Sequence, residues 1–181
     1  MTEIPRSVHG LRTDALRSQP HLQVVVEAVF GTDDESLEEV MARARRLMPD
    51  RKVVVWEADP LTFTFTFVSP EAEELLGYPL SRWSEPGFWQ SEVLHPDDAG
   101  DAVSHCAIAT AAGVDHDFEY RALTATGRVV RVHDVVHVLK GPLGFASCLR
   151  GIMFAVEPPF KLDAARISRL GVRPQALHDS H

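Results

Sequence analysis

A chain of 181 residues, 45% apolar and 24% charged, can close one hydrophobic core with extensions but not two comfortable ones. A net charge of −8, with no Lys/Arg block longer than Arg45–Arg46, argues against nucleic-acid backbones as the main partner. Two distant cysteines, no charged-then-apolar leader and no apolar run near the roughly 20 residues of a membrane span predict a soluble protein of a reducing cytoplasm.

Residues 1–20 carry Pro5, Gly10, Pro20 and scattered charges without periodicity and read as a loose arm. Leu22–Phe30, LQVVVEAVF, is an apolar run whose period does not settle between helix and strand, and it is read here as a strand. Residues 33–48 are clearer. Leu37, Val40, Met41, Ala44, Leu47 and Met48 repeat at three- and four-residue steps behind Thr32, Asp33 and Asp34 as caps, with acids early and arginines late. This amphipathic helix is expected to pack on the neighbouring domain or to form a dimer contact, and Pro49 ends it.

From Val53 the period becomes two. Val53–Ala58 and Thr62–Val68 read as a hairpin around Asp59–Pro60, with Phe63, Phe65 and Phe67 on one face. Ser69 is expected to cap a short helix ending at Gly77, and a Trp83–Phe88–Trp89 connection leads to His95-Pro96-Asp97-Asp98. A further helix begins there, capped by Asp97, and runs to about Ala112. Three strands follow as a meander: His116–Leu123, Val129–Val138, and Phe145–Val156 after the Gly141–Gly144 turn. The order predicts an α+β fold, a five-stranded antiparallel sheet with short helices on one face and a helical N-terminal extension.

This chain resembles the PAS sensor domains, in the subgroup with tryptophan-acid-alanine-acid and histidine-proline-aspartate-aspartate motifs. The resemblance rests on VVVWEAD (Val53–Asp59), FTFVSPEAEELLGYPLSRW (Phe65–Trp83), FWQSEVLHPDD (Phe88–Asp98), DHDFEYRALTATGRVV (Asp115–Val130) and LRGIM (Leu149–Met153), in the family's order. It implies a sheet curled around a pocket that signals through ligand occupancy or dimer rearrangement. It sets the boundaries at residues 1–50 for the extension, 51–157 for the PAS domain and 158–181 for a tail in which Lys161–Val172 can form a separate short helix. Two departures stand out. Arg131 replaces a frequent Trp, and Pro158–Pro159 interrupt the helical linker that usually leads to an output domain.

The expected function is therefore a stand-alone, non-enzymatic sensory or interaction module, a homodimer or the partner of a signalling protein, holding a small ligand between the sheet and the 98–112 helix. Trp56, Phe65, Phe67, His105, Phe118 and Met153 are the candidate pocket liners, with strand faces open to a one-residue inversion. The alternative is a haem-binding gas or redox sensor. In haem-binding relatives the iron-ligating histidine comes from this helix, nearer Ala102 than His105.

The other chemistry weighed is weaker. Asp98, Asp101 and His105 fall on one side of a helix and could approach a metal ion, but acids in a first turn serve the helix dipole equally well. Asp134, among Val130, Val132, Val136 and Val138, is a carboxylate on an apolar face: a partnered structural acid or a ligand contact. His133 and His137 lie four apart on the other face, too far to chelate one ion alone. Cys106 in Ser-His-Cys-Ala lacks the Asn-Cys-Arg-Phe setting of a flavin photosensor. No hydrolase, metalloprotease or nucleotide-binding motif occurs.

Overall fold

The fold is a computed structural model and is described over residues 10–158, so the short helix expected at Lys161–Val172 lies outside the described residues. Its centre is one antiparallel sheet with strand order β1-β4-β5-β6-β2-β3. The strands are β1 (Arg12–Thr13), β2 (Val54–Ala58), β3 (Phe65–Val68), β4 (His116–Leu123), β5 (Val129–Lys140) and β6 (Ala146–Ala155). Five were expected. The sixth, β1, comes from the arm expected to be loose: Arg12 and Thr13 pair with Glu119 and Phe118 on the edge of β4.

The N-terminal segment is helical where a strand was expected. Pro20–Phe30 forms α1, with Pro20 in its first turn and Leu22, Val25, Val26 and Val29 buried. Leu22, Val25, Val26 and Val29 recur at three- and four-residue steps, a helical period that outweighs the β preference of the valines. The amphipathic helix α2 spans Leu37–Leu47, and its cap is Ser36 rather than Thr32, Asp33 or Asp34. Ser36 Oγ accepts from the Glu39 N–H while the Glu39 carboxylate accepts from the Ser36 N–H, a reciprocal capping box.

The sheet buries side chains on both faces. On the outer face Val53, Val55, Val135, Ile152 and Phe154 share a core with Leu22, Val25, Val26 and Val29 of α1 and Val40, Ala44 and Met48 of or just after α2. The α2 stripe is thus spent on the chain's own sheet, and a dimer formed through that same stripe would have to displace it. The inner core is aromatic, with Trp56, Phe63, Phe65, Tyr78, Trp83, Phe88, Trp89, Phe118 and Tyr120 beside aliphatics. Short helices α3 (Glu71–Leu76) and α4 (Leu80–Trp83), a π turn at Trp89–Val93 and the long α5 (Pro96–Ala111) close over it. Ser69 does not cap α3; its buried hydroxyl accepts from the Val55 N–H and ties the end of β3 to β2.

A bulge sets the parity of the first hairpin. Glu57 pairs with Phe67 but Ala58 pairs with Phe65, so Thr66 is the extra residue. The strand also starts later than alternation suggests. The Asp59 carboxylate accepts from the N–H groups of Leu61 and Thr62, and Phe63 sits in the left-handed region at φ 57°, holding residues 59–64 as a turn.

Candidate functional site

The His-Pro-Asp-Asp corner positions α5. His95, not Asp97, caps the helix: its Nδ1 accepts from the Asp97 N–H at 3.1 Å, while the Asp97 carboxylate lies out in solvent. Asp98 is buried and takes the N–H, Nε and Nη2 of Arg121 at 2.9, 3.1 and 2.7 Å. Burial alone would raise its pKa, but the Arg121 hydrogen bonds outweigh it and hold the carboxyl below its usual range. The His95 N–H donates to the Arg121 carbonyl, so the corner is stitched to the open edge of β4. Asp98 is therefore committed to an arginine, Asp101 is exposed, and among the described residues no cluster of three or more His, Cys, Asp or Glu could hold a metal ion.

Pinned in this way, α5 turns Ala102, Cys106 and Thr110 toward the sheet and leaves Ile108 exposed. His105 lies half-buried on the flank, its Nε2 3.3 Å from the Asp117 carbonyl and its ring edge-on to His116 and Phe118. Beneath the helix, Cys106 Sγ lies 3.4 Å from His116 Nε2, and burial pushes its thiol up to about 12.

At the middle of the inner face stands Asp134, 2% exposed. Its Oδ1 accepts from Trp56 Nε1 at 3.0 Å, and its Oδ2 accepts from the Tyr120 hydroxyl at 3.0 Å. Tyr120 Oη in turn accepts from Trp89 Nε1 at 3.2 Å. All the donors are neutral, so burial dominates and raises the Asp134 carboxyl to about 7. Burial also pushes the Tyr120 phenol up. Gly151 makes the network reachable: a Cβ there would overlap the Trp56 indole, so glycine alone lets that ring lie across β6 toward Asp134.

Beside this network is a cavity of about 20 Å³ lined by Trp56, Ala58, Phe63, Phe65, Trp89, Cys106, Phe118, Asp134, Val136 and Leu149. That is room for one water or an ion of similar size. Of the six candidate liners, Trp56, Phe65 and Phe118 border it. Met153 is fully buried in the same core, its sulfur 3.8 Å from Tyr120 Oη. Phe67 does not: the bulge turns it to the outer side beside Glu57. His105 does not either, because the corner at Asp98 fixes the helix with Cys106 inward. Tyr120, Trp89, Cys106 and Gly151 were not among the candidates. Tyr120 shares the inward parity of Phe118 in FEYR and Trp89 offers a buried N–H, and these two signals together could have found the partners of Asp134. Larger clefts lie at the surface. The 440 Å³ one between α1 and the ends of β4 and β5 has two of its carboxylates already engaged, Asp115 by His137 and Asp117 by His133.

The sequence profile of the PAS fold matches residues 65–153. The N-terminal domain of a diguanylate cyclase with a PAS/PAC sensor from Marinobacter aquaeolei is 35% identical, over 58% of this chain and 95% of that domain, with a TM-score of 0.55. The chain belongs to the PAS family. More distant PAS neighbours agree in fold alone. A sensory box histidine kinase/response regulator from Burkholderia thailandensis is 22% identical over 70% of this chain and 95% of its own, with a TM-score of 0.51. A light-oxygen-voltage domain studied with a flavin analogue is 18% identical over 71% and 90%, with a TM-score of 0.53. No curated protein matches the sequence.

A PAS fold is sensory rather than catalytic, and its core decides which cofactors fit. The residues here do not fit haem. The inner space is about 20 Å³, whereas ligand pockets run to roughly 300 Å³ or more, and the α5 histidine lies on the flank against a main-chain carbonyl. No helix among the described residues is long and apolar enough to cross a membrane.

Proposed function

We propose that the chain is a non-catalytic PAS sensory module whose input is a water-sized molecule or ion at the Asp134 cavity and whose output is a change in the helical layer on the outer face. The observation that carries this reading is the buried, uncompensated carboxylate of Asp134 set among Trp56, Phe65, Trp89 and Phe118 beside a cavity. A group so costly to bury is tolerated where a site uses it.

β5 and β6 connect the two faces. Asp134 faces the cavity while its neighbours His133 and Val135 face outward, and Val135 packs against α1 and α2. A signalling partner, or a second copy of the chain, would read the change on the outward polar side of those helices. Native mass spectrometry of the protein as it leaves cells, followed by organic extraction, tests the input. A stoichiometric small molecule, with altered hydrogen exchange in α1 and α2 when it is removed, is the expected result. An empty protein whose helices respond to no compound in a metabolite screen defeats the reading.

A further inference from the structure

The cavity has an aromatic wall. Trp56 and Phe65 meet at 88°, Phe63 and Trp89 at 81°, and Trp89 and Phe118 at 68°, with centroids 5.4 to 6.4 Å apart. Edge-to-face packing is the ordinary preference of aromatic pairs, and here it encloses the cavity in aromatic surface, the kind of lining that attracts an ammonium group by cation–π interaction. The acid in the wall is Asp134, and among the described residues no basic side chain pairs with it. The titratable groups facing it are Tyr120 from β4 and Cys106 from α5, with His116 behind Cys106; β2 and β6 present only Trp56, Gly151 and Met153. Burial keeps the phenol and thiol protonated through the neutral range and disfavours a charged His116, so no countercharge forms from within.

We propose that this cavity binds the ammonium ion, seated among the rings with the Asp134 carboxylate as its counter-ion. The inference rests on the sensory reading above and names the chemistry of its input. Size selects the cation, since about 20 Å³ admits one water-sized group. Charge selects it over water. A neutral occupant leaves the buried carboxylate uncompensated, whereas a cation supplies both the missing charge and the cation–π attraction of a desolvated site. Where Asp134 is protonated, binding releases its proton to solvent, so one cation enters as one proton leaves.

The experiment uses the full chain at constant ionic strength, exchanging sodium chloride for ammonium chloride and following tryptophan emission, to which Trp56 and Trp89 contribute. A saturable change is expected, about tenfold tighter near pH 8 than near pH 6, as Asp134 passes from mostly protonated to mostly ionised. Asp134→Asn should abolish it while near-ultraviolet circular dichroism remains native, and Phe63→Leu, which thins one wall, should weaken it several-fold. The absence of a saturable response at both pH values overturns the inference, as does an unchanged response in either variant. If the protein from cells carries a neutral or anionic molecule in the core instead, the ammonium inference falls and the sensory reading stands. If it carries nothing and no compound acts on it, both fall.

Discussion

Tyr120 Oη donates to Asp134 Oδ2 at 3.0 Å and accepts from Trp89 Nε1 at 3.2 Å, so one hydroxyl joins β4, β5 and the π turn in the middle of an apolar core. Tyr120→Phe removes a donor from the acid and an acceptor from the indole together. A loss of about 1–3 kcal/mol is expected from denaturant unfolding. In an Asp134→Asn background the loss should shrink, because the two residues act as a unit. Simple additivity of the two costs would contradict a coupled network.

The pH dependence of stability carries the mark of Asp134. Its folded pKa of about 7 lies above the ordinary carboxylate value, so the folded state binds the extra proton between roughly pH 4 and pH 7. The sign follows: this group's contribution is complete below about pH 4 and is lost as the pH rises to 7, on the order of 4 kcal/mol at most. Urea midpoints measured across that window should fall more steeply for the natural chain than for Asp134→Asn. Parallel profiles would mean that the carboxyl is not perturbed.

His137 acts in a higher window. Its ring lies 2.7 Å from Asp115 and 2.6 Å from Asp33, tying the α1–α2 loop to the end of β5, and the Asp115 hydrogen bond foremost raises its pKa to about 9. The stabilisation is complete below about pH 6.5 and disappears as the pH climbs through 9. Solvent reaches this pair, so about 1 kcal/mol is expected. Hydrogen exchange near Asp33 should quicken between pH 7 and pH 9.5 after correction for intrinsic rates, with His137→Gln already at the fast limit at about pH 7.

Gly151→Ala should force the Trp56 indole off β6. The expected cost is about 1–3 kcal/mol together with a change in tryptophan emission, because the Trp56–Asp134 hydrogen bond goes with the ring position. Combining it with Trp56→Phe should cost less than the two changes added. Thermal melts of the three variants decide this.

A chain begun at residue 51 retains the PAS-matching segment but uncovers Val53, Val55, Val135, Ile152 and Phe154. Such a face should drive self-association visible by light scattering, whereas the full chain keeps it covered. A monomeric, equally stable short chain would make the helical layer dispensable.

The succession of strands and the closing meander were legible because the apolar runs of β4, β5 and β6 are separated by turns at Gly127 and at Gly141–Gly144. α1 was not, since nine residues of mostly apolar sequence satisfy either period until the sheet beneath offers a face. At the site, Asp134 was visible as an acid on a valine face, but its donors lie far apart in sequence and only the register of β2, β4 and β5 brings them together. Phe67 misled because one extra residue at Thr66 puts it on the face opposite Phe65, where simple alternation places the two together. His105 misled because helix orientation is fixed by Asp98 gripping Arg121, a long-range contact that no local pattern records.

The sheet separates two cores by the thickness of a single backbone. Along β5, Asp134 faces one and His133 and Val135 the other; along β6, Gly151 and Met153 alternate with Ile152 and Phe154. No relay of side chains is needed to carry a message between them. Any movement of β5 that makes room at Asp134 is at once a movement of the floor on which α1 and α2 rest, so the input and output proposed above would lie one peptide unit apart.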